Sequence, residues 1–145
     1  MSTLKPHTMK IALWELDPEG FHIVTSGRLH GTPVRLLIDT GANHSCFDRN
    51  FIESLQIPIH ETEKDDVNIG IGGSEFQSDI LTISHFKIGR ILVPPSPFRL
   101  LDLQPVCAAY ENVGFKPIHG IIGGDLLHRF HAVIDYGNKT LTLYK

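Results

Sequence analysis

The sequence predicts a mostly β fold, a closed β-barrel with a few short helices. Many short segments alternate apolar and polar residues, and turns containing glycine, proline, asparagine or aspartate separate them. Few segments show the three- to four-residue apolar spacing of a helix. The length of 145 residues suits one hydrophobic core, so we expect a single domain over residues 1–145.

The predicted strands of the first third form a hairpin and one further strand. Residues 10–16 and 21–29 alternate on either side of residues 17–20, whose sequence Asp-Pro-Glu-Gly favours a turn. Residues 33–38 form the next predicted strand. Its last three residues, Leu36-Leu37-Ile38, are an apolar run, which indicates a buried strand.

The remaining predicted strands lie in the second half of the chain. A glycine-rich stretch over residues 67–78 predicts a hairpin with its tip near Gly72 and Gly73. Strands are also predicted over residues 80–83, 86–93, 132–135 and 140–144, with a turn near His85. The proline cluster at residues 94–97 predicts a loop.

Helices are predicted where a capping or breaking residue precedes helical spacing. They cover residues 49–55 after Asp48, residues 103–113 with Pro105 in the first turn, and residues 124–130 after the glycines that precede Asp125.

The turn after the third strand contains the principal candidate for catalysis. Leu36-Leu37-Ile38 runs directly into Asp39-Thr40-Gly41-Ala42. Burying an unpaired charge is costly, so a carboxylate at the end of a buried strand is expected to be hydrogen-bonded, partly protonated or paired. The alternative is a turn aspartate that only accepts hydrogen bonds from backbone amides.

A second strand runs into glycine about eighty positions later. Ile121-Ile122-Gly123 resembles the end of the Asp39 strand, and a short apolar helix follows it. The two turns suggest an internal pseudo-repeat.

These motifs together resemble the retropepsin-like aspartic proteases, and among them the small single-domain enzymes found widely in bacteria. The resemblance covers residues 29–144. It rests on Asp39 to Ala42, the glycine-tipped stretch 69–74, Ile121-Ile122-Gly123 and the closing hairpin at residues 133–136.

The resemblance implies an aspartic endopeptidase that works as a homodimer without a metal or organic cofactor. Asp39 of each subunit would activate a water between them, Thr40 would hydrogen-bond across the dimer, and Gly41 would direct its amide to the carboxylate. Read locally, Thr40 and Gly41 simply form a tight turn. The residues that the resemblance assigns to the flap and the site wall, and hence to substrate binding, are Ala42, Ile71, Gly72, Gly73, Ile121, Ile122 and Gly123.

Two features depart from the viral members of the family. An insertion occupies residues 98–117, and Gly124 stands where viral enzymes commonly carry an arginine that braces the dimer. The rival function is a catalytically silent domain of this fold that binds a peptide or a partner protein, because a fold alone does not fix a function.

Other motifs favour structural interpretations. The flap glycines lack the Lys-Ser/Thr of a phosphate-binding loop and precede a strand. Asp125, His128 and His131 have helical spacing for a metal site, although these residues more often cap a helix and face solvent. Asp135 imitates an Asp-x-Gly motif but enters a hairpin turn, so we interpret it as structural.

The composition narrows the partners and the compartment. With 13 basic and 16 acidic residues the net charge is −3, which predicts binding to neither nucleic acid nor an anionic membrane. Cys46 and Cys107 lack metal or redox spacing, so free thiols are expected. The first residues show no apolar signal segment, which predicts a cytoplasmic protein, or a periplasmic one if a signal was removed.

Overall fold

The computed structural model describes residues 3–16, 20–57, 64–68 and 75–145. This part of the chain contains thirteen strands and three short helices. The strands are β1 Pro6–Lys10, β2 Ala12–Glu15, β3 Phe21–Leu29, β4 Thr32–Ile38, β5 Cys46–Asp48, β6 Lys64–Asn68, β7 Glu75–Ile83, β8 Phe86–Ile88, β9 Ile91–Val93, β10 Ser96–Leu101, β11 Gly120–Ile122, β12 Val133–Asp135 and β13 Thr140–Tyr144. The helices are α1 Arg49–Ser54, α2 Gln104–Glu111 and α3 Gly124–Arg129.

The mostly β fold class is confirmed. Ten strands form a sheet that curls into a half-barrel, in the order β6-β7-β10-β5-β11-β4-β3-β8-β9, with β2 also paired to β3. A smaller sheet has the order β1-β13-β12. Most neighbours are antiparallel, but β4 pairs with β11 and β5 pairs with β10 in parallel. None of the helices in the described ranges is long and apolar enough to cross a membrane.

The concave side of the large sheet encloses the main hydrophobic core. Phe47, Phe86 and Phe98 are fully buried there, with ring centroids 5.0–5.5 Å apart. Burial of each such ring stabilises the fold by about 1.5–3 kcal/mol, and tilted or edge-on contacts add to this. The core therefore fixes β5 and β10 against the rest of the half-barrel.

Several predicted elements are confirmed. The N-terminal hairpin is β2 paired with β3, and the closing hairpin is β12 paired with β13. The predicted cap of α1 is present, because Asp48 Oδ2 accepts a hydrogen bond from the Phe51 amide at 3.1 Å. Helix α2 has its proline in the first turn, and α3 begins at Gly124 as expected.

The predicted strand over residues 10–16 is wrong at its start. Lys10 belongs to β1, which pairs antiparallel with β13 and not with β3. Buried Ile11 separates β1 from β2, and its amide donates to the Lys139 carbonyl at 3.0 Å. The chain therefore passes from the small sheet to the large sheet at Ile11, whose backbone is hydrogen-bonded to the closing hairpin.

Two further predictions need correction. Ser96 and Pro97 lie in β10, not in a loop. Pro97 precedes Arg99–Leu101, the residues that pair with β5, so a position without a backbone N–H is tolerated there. The predicted strand over residues 86–93 is the hairpin β8–β9, which turns at Gly89 with a φ of 57°.

The glycine-rich hairpin is described only in part. Its flanking strands β6 and β7 pair antiparallel from Lys64↔Asp79 to Asn68↔Glu75. The predicted tip, with Ile71, Gly72 and Gly73, lies outside the described residues.

His119 ties the segment before β11 to β4. The Arg35 amide donates to His119 Nδ1 at 2.8 Å, and the His119 amide donates to the Arg35 carbonyl at 2.9 Å. Burial of the ring, with a smaller contribution from the Arg35 charge, lowers the pKa of His119. The folded state thus favours a neutral ring whose Nδ1 can accept.

We expect this histidine to weaken the fold in acid. As the pH falls below about 6.5, the ordinary histidine pKa, the unfolded chain binds a proton before the folded chain does, so the free energy of unfolding falls until the lower folded-state pKa is passed. His119→Asn keeps an acceptor near Nδ1 but cannot titrate, and it should lose less stability over this range. Urea unfolding of both proteins at several pH values tests this, and parallel pH dependences would contradict it.

Candidate active site

Parallel strands β4 and β11 position the turn that contains Asp39. Ile38 pairs with Ile122 at the end of this ladder. The Asp39 amide donates to the Ile122 carbonyl at 2.9 Å, and the Ala42 amide donates to the Asp39 carbonyl at 3.2 Å. The backbone on both sides of the carboxylate is therefore fixed by hydrogen bonds.

The Asp39 side chain is hydrogen-bonded but not buried. Its Oδ1 accepts from the Gly41 amide at 3.0 Å, as expected for a carboxylate in this turn. However, the side chain is exposed in the single chain, so the expected cost of burial is not incurred there. The apolar run ends at Ile38, which is buried, and this suggested a buried carboxylate at Asp39. The chain leaves the sheet at Asp39, however, so its side chain is exposed.

Gly123 allows the two pseudo-repeated turns to approach closely. The Gly124 amide donates to the Ala42 carbonyl at 2.7 Å. A Cβ atom at Gly123 would lie 2.7 Å from the same carbonyl oxygen, closer than side-chain carbons approach. The glycine at this position is thus required by contact with the Asp39 turn and not by a positive φ.

Ser45 and Asp125 hold the same two turns together through hydrogen bonds. The buried Ser45 hydroxyl donates to Asp125 Oδ1 at 2.7 Å and accepts from the Gly123 amide at 2.9 Å. The Ser45 amide donates to Asp125 Oδ2 at 3.0 Å, and the Leu126 amide donates to Oδ1 at 2.9 Å. These bonds tie the loop after Asp39 to the start of α3.

This bracing explains Asp125 without a metal. Both of its carboxylate oxygens accept hydrogen bonds from Ser45, while His128 and His131 are exposed. Across the described ranges, no three histidine, cysteine, aspartate or glutamate side chains cluster in a way that could hold a metal ion. The alternative metal site therefore has no geometric support.

Asp135 also has a structural role. Its oxygens accept from the Asn138 amide and from Asn138 Nδ2, each at 2.9 Å. The backbone bond, followed by the side-chain bond, lowers the pKa of Asp135. The resemblance to an Asp-x-Gly motif is thus a hairpin turn stabilised by its own side chain.

A cleft of about 460 Å³ opens beside Asp39. Asp39 and Thr40 form its polar end. One side is formed by Ile134 of β12 with Tyr136. The other is formed by residues of β3 and by Leu37 of β4, which also packs against a second hydrophobic cluster around α2. Its lining residues are Phe21, His22, Ile23, Leu37, Ile38, Asp39, Thr40, Ile134 and Tyr136. A slightly larger cleft of about 490 Å³ near Gly89 has no carboxylate in its lining, so it offers no aspartate for an aspartic protease site.

The other predicted site residues divide into three groups. Gly41, Ala42, Ile122 and Gly123 form the backbone that supports Asp39. Ile121 packs against the second cluster with Leu37. Ile71, Gly72 and Gly73 lie outside the described residues, so their predicted contact with substrate stays a prediction.

The sequence analysis missed His22 and Tyr110, which meet near Asp39. His22 lines the cleft, and its Nδ1 lies 2.7 Å from the Tyr110 hydroxyl. The two residues are 88 positions apart, and no local pattern links them. Burial, followed by the nearby charge of Asp39, raises the pKa of Tyr110 to about 12, so its hydroxyl keeps its proton.

Comparisons with known proteins give a family and a fold. A sequence model of the aspartyl protease family matches residues 25–126. This range contains the Asp39 turn, Ser45 and the β11–α3 turn up to Leu126. None of the curated proteins matches the sequence.

Two solved structures share the fold along most of the chain. One is a retropepsin-like aspartic protease from Rickettsia conorii, with a TM-score of 0.62, 16% identity, and coverage of 99% of this chain and 96% of that one. The other is the retroviral protease-like domain of Ddi1 from Leishmania major, with a TM-score of 0.55, 18% identity, and coverage of 84% and 87%. At these identities the likeness shows the fold alone, and it confirms the retropepsin-like architecture.

We expect Ser45→Ala to destabilise the protein by about 1–3 kcal/mol, because it leaves the buried Gly123 amide without its acceptor. Ser54→Ala is the matched control. It also removes one serine hydrogen bond, to the Phe51 carbonyl, but on the exposed face of α1, and it should change stability by no more than about 0.5 kcal/mol. Chemical denaturation measures both, and equal effects would refute the bracing role.

Proposed function

The chain belongs to the aspartyl protease family, and we propose that it is an aspartic endopeptidase whose active site is completed by a second copy of the chain. One observation carries the proposal. The Asp39 carboxylate is held by the Gly41 amide at 3.0 Å and remains exposed at the end of a cleft. A group held in this way can meet both a substrate and a second carboxylate.

The chemistry requires a second carboxylate, and among the described residues Asp39 is the only carboxylate that lines this cleft. Asp125 is engaged by Ser45, and Asp135 by Asn138. The turn after β11, which mirrors the Asp39 turn, contains Gly123 and Gly124 in its place. Two-fold pairing of identical chains is the commonest closed arrangement and would bring two Asp39 side chains together.

Two Asp39 carboxylates brought together in this way share one proton, because both cannot easily ionise. The ionised Asp39 takes a proton from a bound water, and the water oxygen forms a bond to the peptide carbonyl carbon. The protonated Asp39 gives its proton to the carbonyl oxygen. The Asp39 that took the water proton then gives it to the amide nitrogen, while the other Asp39 takes a proton from one hydroxyl of the tetrahedral carbon. The C–N bond breaks, and a carboxylic acid and an amine leave. All of these proton transfers are made by carboxylates, so the proposal calls for no metal or organic cofactor.

The surface beside the cleft suits a second copy. β12 is an end strand of the small sheet, paired only with β13 among the described strands. Val133, its first residue, and Tyr136, directly after its last residue, are 52% and 56% exposed. An open strand edge with exposed apolar side chains favours association. Because Ile134 and Tyr136 line the cleft, pairing on this side would place the partner next to Asp39.

We expect Asp39→Asn to lower peptide cleavage by at least about a thousand-fold while the fold is retained, because the asparagine Oδ1 can still accept from the Gly41 amide. Asp102→Asn is the matched control, since Asp102 Oδ1 also accepts from the amide two residues on, Gln104, at 3.0 Å. Its activity should stay within about twofold of wild type. Digestion of an unfolded protein at mildly acidic pH, with circular dichroism as a folding check, measures both.

Two outcomes would go against the assignment. Undiminished cleavage by Asp39→Asn would refute Asp39 as the catalytic group. Peptide binding by the wild-type protein without cleavage at any pH would favour the silent binding domain.

We expect Val133→Arg to shift the protein to monomers, because it places a charge in the proposed dimer face. Val113→Arg is the matched control, since Val113 is equally exposed, at 53%, but lies beyond α2. Sedimentation at several concentrations should show weaker dimers for the first variant alone, with cleavage lost in parallel. A wild-type monomer that cleaves with constant specific activity on dilution would contradict the two-chain site.

A further inference from the structure

His22 lies in the cleft, and the proposed mechanism gives it no role. Its ring is half-buried at the start of β3 and lines the cleft that contains Asp39 and Thr40. The neighbouring lining residues of β3 and β4 are apolar, namely Phe21, Ile23 and Leu37. The imidazole is therefore the polar group of an otherwise apolar wall.

The insertion that departs from the viral relatives fixes the orientation of this ring. Tyr110 of α2 is buried, and its hydroxyl lies 2.7 Å from His22 Nδ1. The two rings meet edge-on with centroids 5.5 Å apart. The Tyr110 ring is in turn held by Trp14, edge-on at 5.2 Å, and Trp14 stacks on Phe115 at 4.7 Å. A rigid aromatic cluster thus supports the bond to His22.

The hydrogen bond also selects a tautomer. Within the described part of the chain, the Tyr110 hydroxyl makes no hydrogen bond except the one to His22. A buried hydroxyl proton needs an acceptor, so the phenol donates to Nδ1 and the imidazole proton lies on Nε2. Nε2–H is then the ring group left for a ligand in the cleft.

We propose that His22, oriented by Tyr110, is a specificity-determining residue whose Nε2–H binds a hydrogen-bond acceptor on a substrate side chain next to the scissile bond. The inference rests on the proposed function, since it concerns substrates of the same cleft. The favoured side chains are those of glutamine, asparagine, glutamate and aspartate. A site that offers a fixed donor rejects an apolar side chain of the same length, because the donor then loses its partner.

The test compares peptides that differ only by glutamine or methionine, which are similar in length, at each position around the scissile bond. At one position the wild-type protein should prefer glutamine by about tenfold in kcat/KM, mostly through KM, as one hydrogen bond allows. His22→Leu should remove this preference, so that the ratio of kcat/KM between the glutamine and methionine peptides falls to about one. His22→Gln, which restores an N–H donor, should recover part of it.

Two variants separate positioning from general loosening. Tyr110→Phe removes only the hydroxyl and should weaken the preference, while the His22 ring changes tautomer in ¹⁵N spectra. Phe115→Leu disturbs the same cluster without touching the hydrogen bond, so it should lower stability but keep the preference. An unchanged ¹⁵N signature in Tyr110→Phe, or equal losses on glutamine and methionine peptides, would overturn the proposal.

Binding to the Asp39→Asn variant separates this inference from the proposed function. The same peptide pairs are titrated by fluorescence polarisation. A glutamine preference in binding, with no hydrolysis by the wild-type protein, would support the role of His22 and overturn the protease assignment. Hydrolysis without any preference would overturn the role of His22 alone. Equal affinities, or no binding of either peptide, would also overturn it.

Discussion

The position of Asp39 depends on one constraint, the parallel pairing of β4 with β11. The pairing brings two turns together that are distant in sequence, and it continues past the strands through the bonds from Asp39 to Ile122 and from Gly124 to Ala42. Gly123 allows this contact because any side chain there would collide with the Ala42 carbonyl. Ser45 and Asp125 then lock the turns together, so the carboxylate emerges from a backbone with little freedom.

In the proposed enzyme, this rigid support serves a site that a second copy of the chain completes. Asp39 is exposed, its neighbouring acidic residues are engaged elsewhere, and the apolar edge of β12 lies beside it. A pre-organised but exposed carboxylate fits a mechanism in which the second group, and the exclusion of water, come from a partner. On the β3 side of the cleft, His22 contacts Tyr110 of α2, so substitutions in α2 can act on this wall without altering the Asp39 turn.

Local features of the fold were predictable from the sequence, and long-range pairings were not. The Asp48 cap, Pro105 at the start of α2 and the turn after Ile38 each leave a signal within a few residues. By contrast, β1 pairs with β13 across most of the chain, and Pro97 is tolerated in β10 because it lies before Arg99, where pairing with the first residue of β5 begins. The same limit hid the contact between His22 and Tyr110, since neither residue has a partner in its local sequence.

The stoichiometry of inhibitor binding tests the central claim most directly. A peptide in which the scissile amide is replaced by a non-cleavable tetrahedral analogue should occupy a site built from two Asp39 turns. Isothermal titration calorimetry at a protein concentration that favours the dimer should therefore give one bound inhibitor for every two chains. Saturation at one inhibitor per chain would contradict a shared site and, with it, the account of how this carboxylate acts.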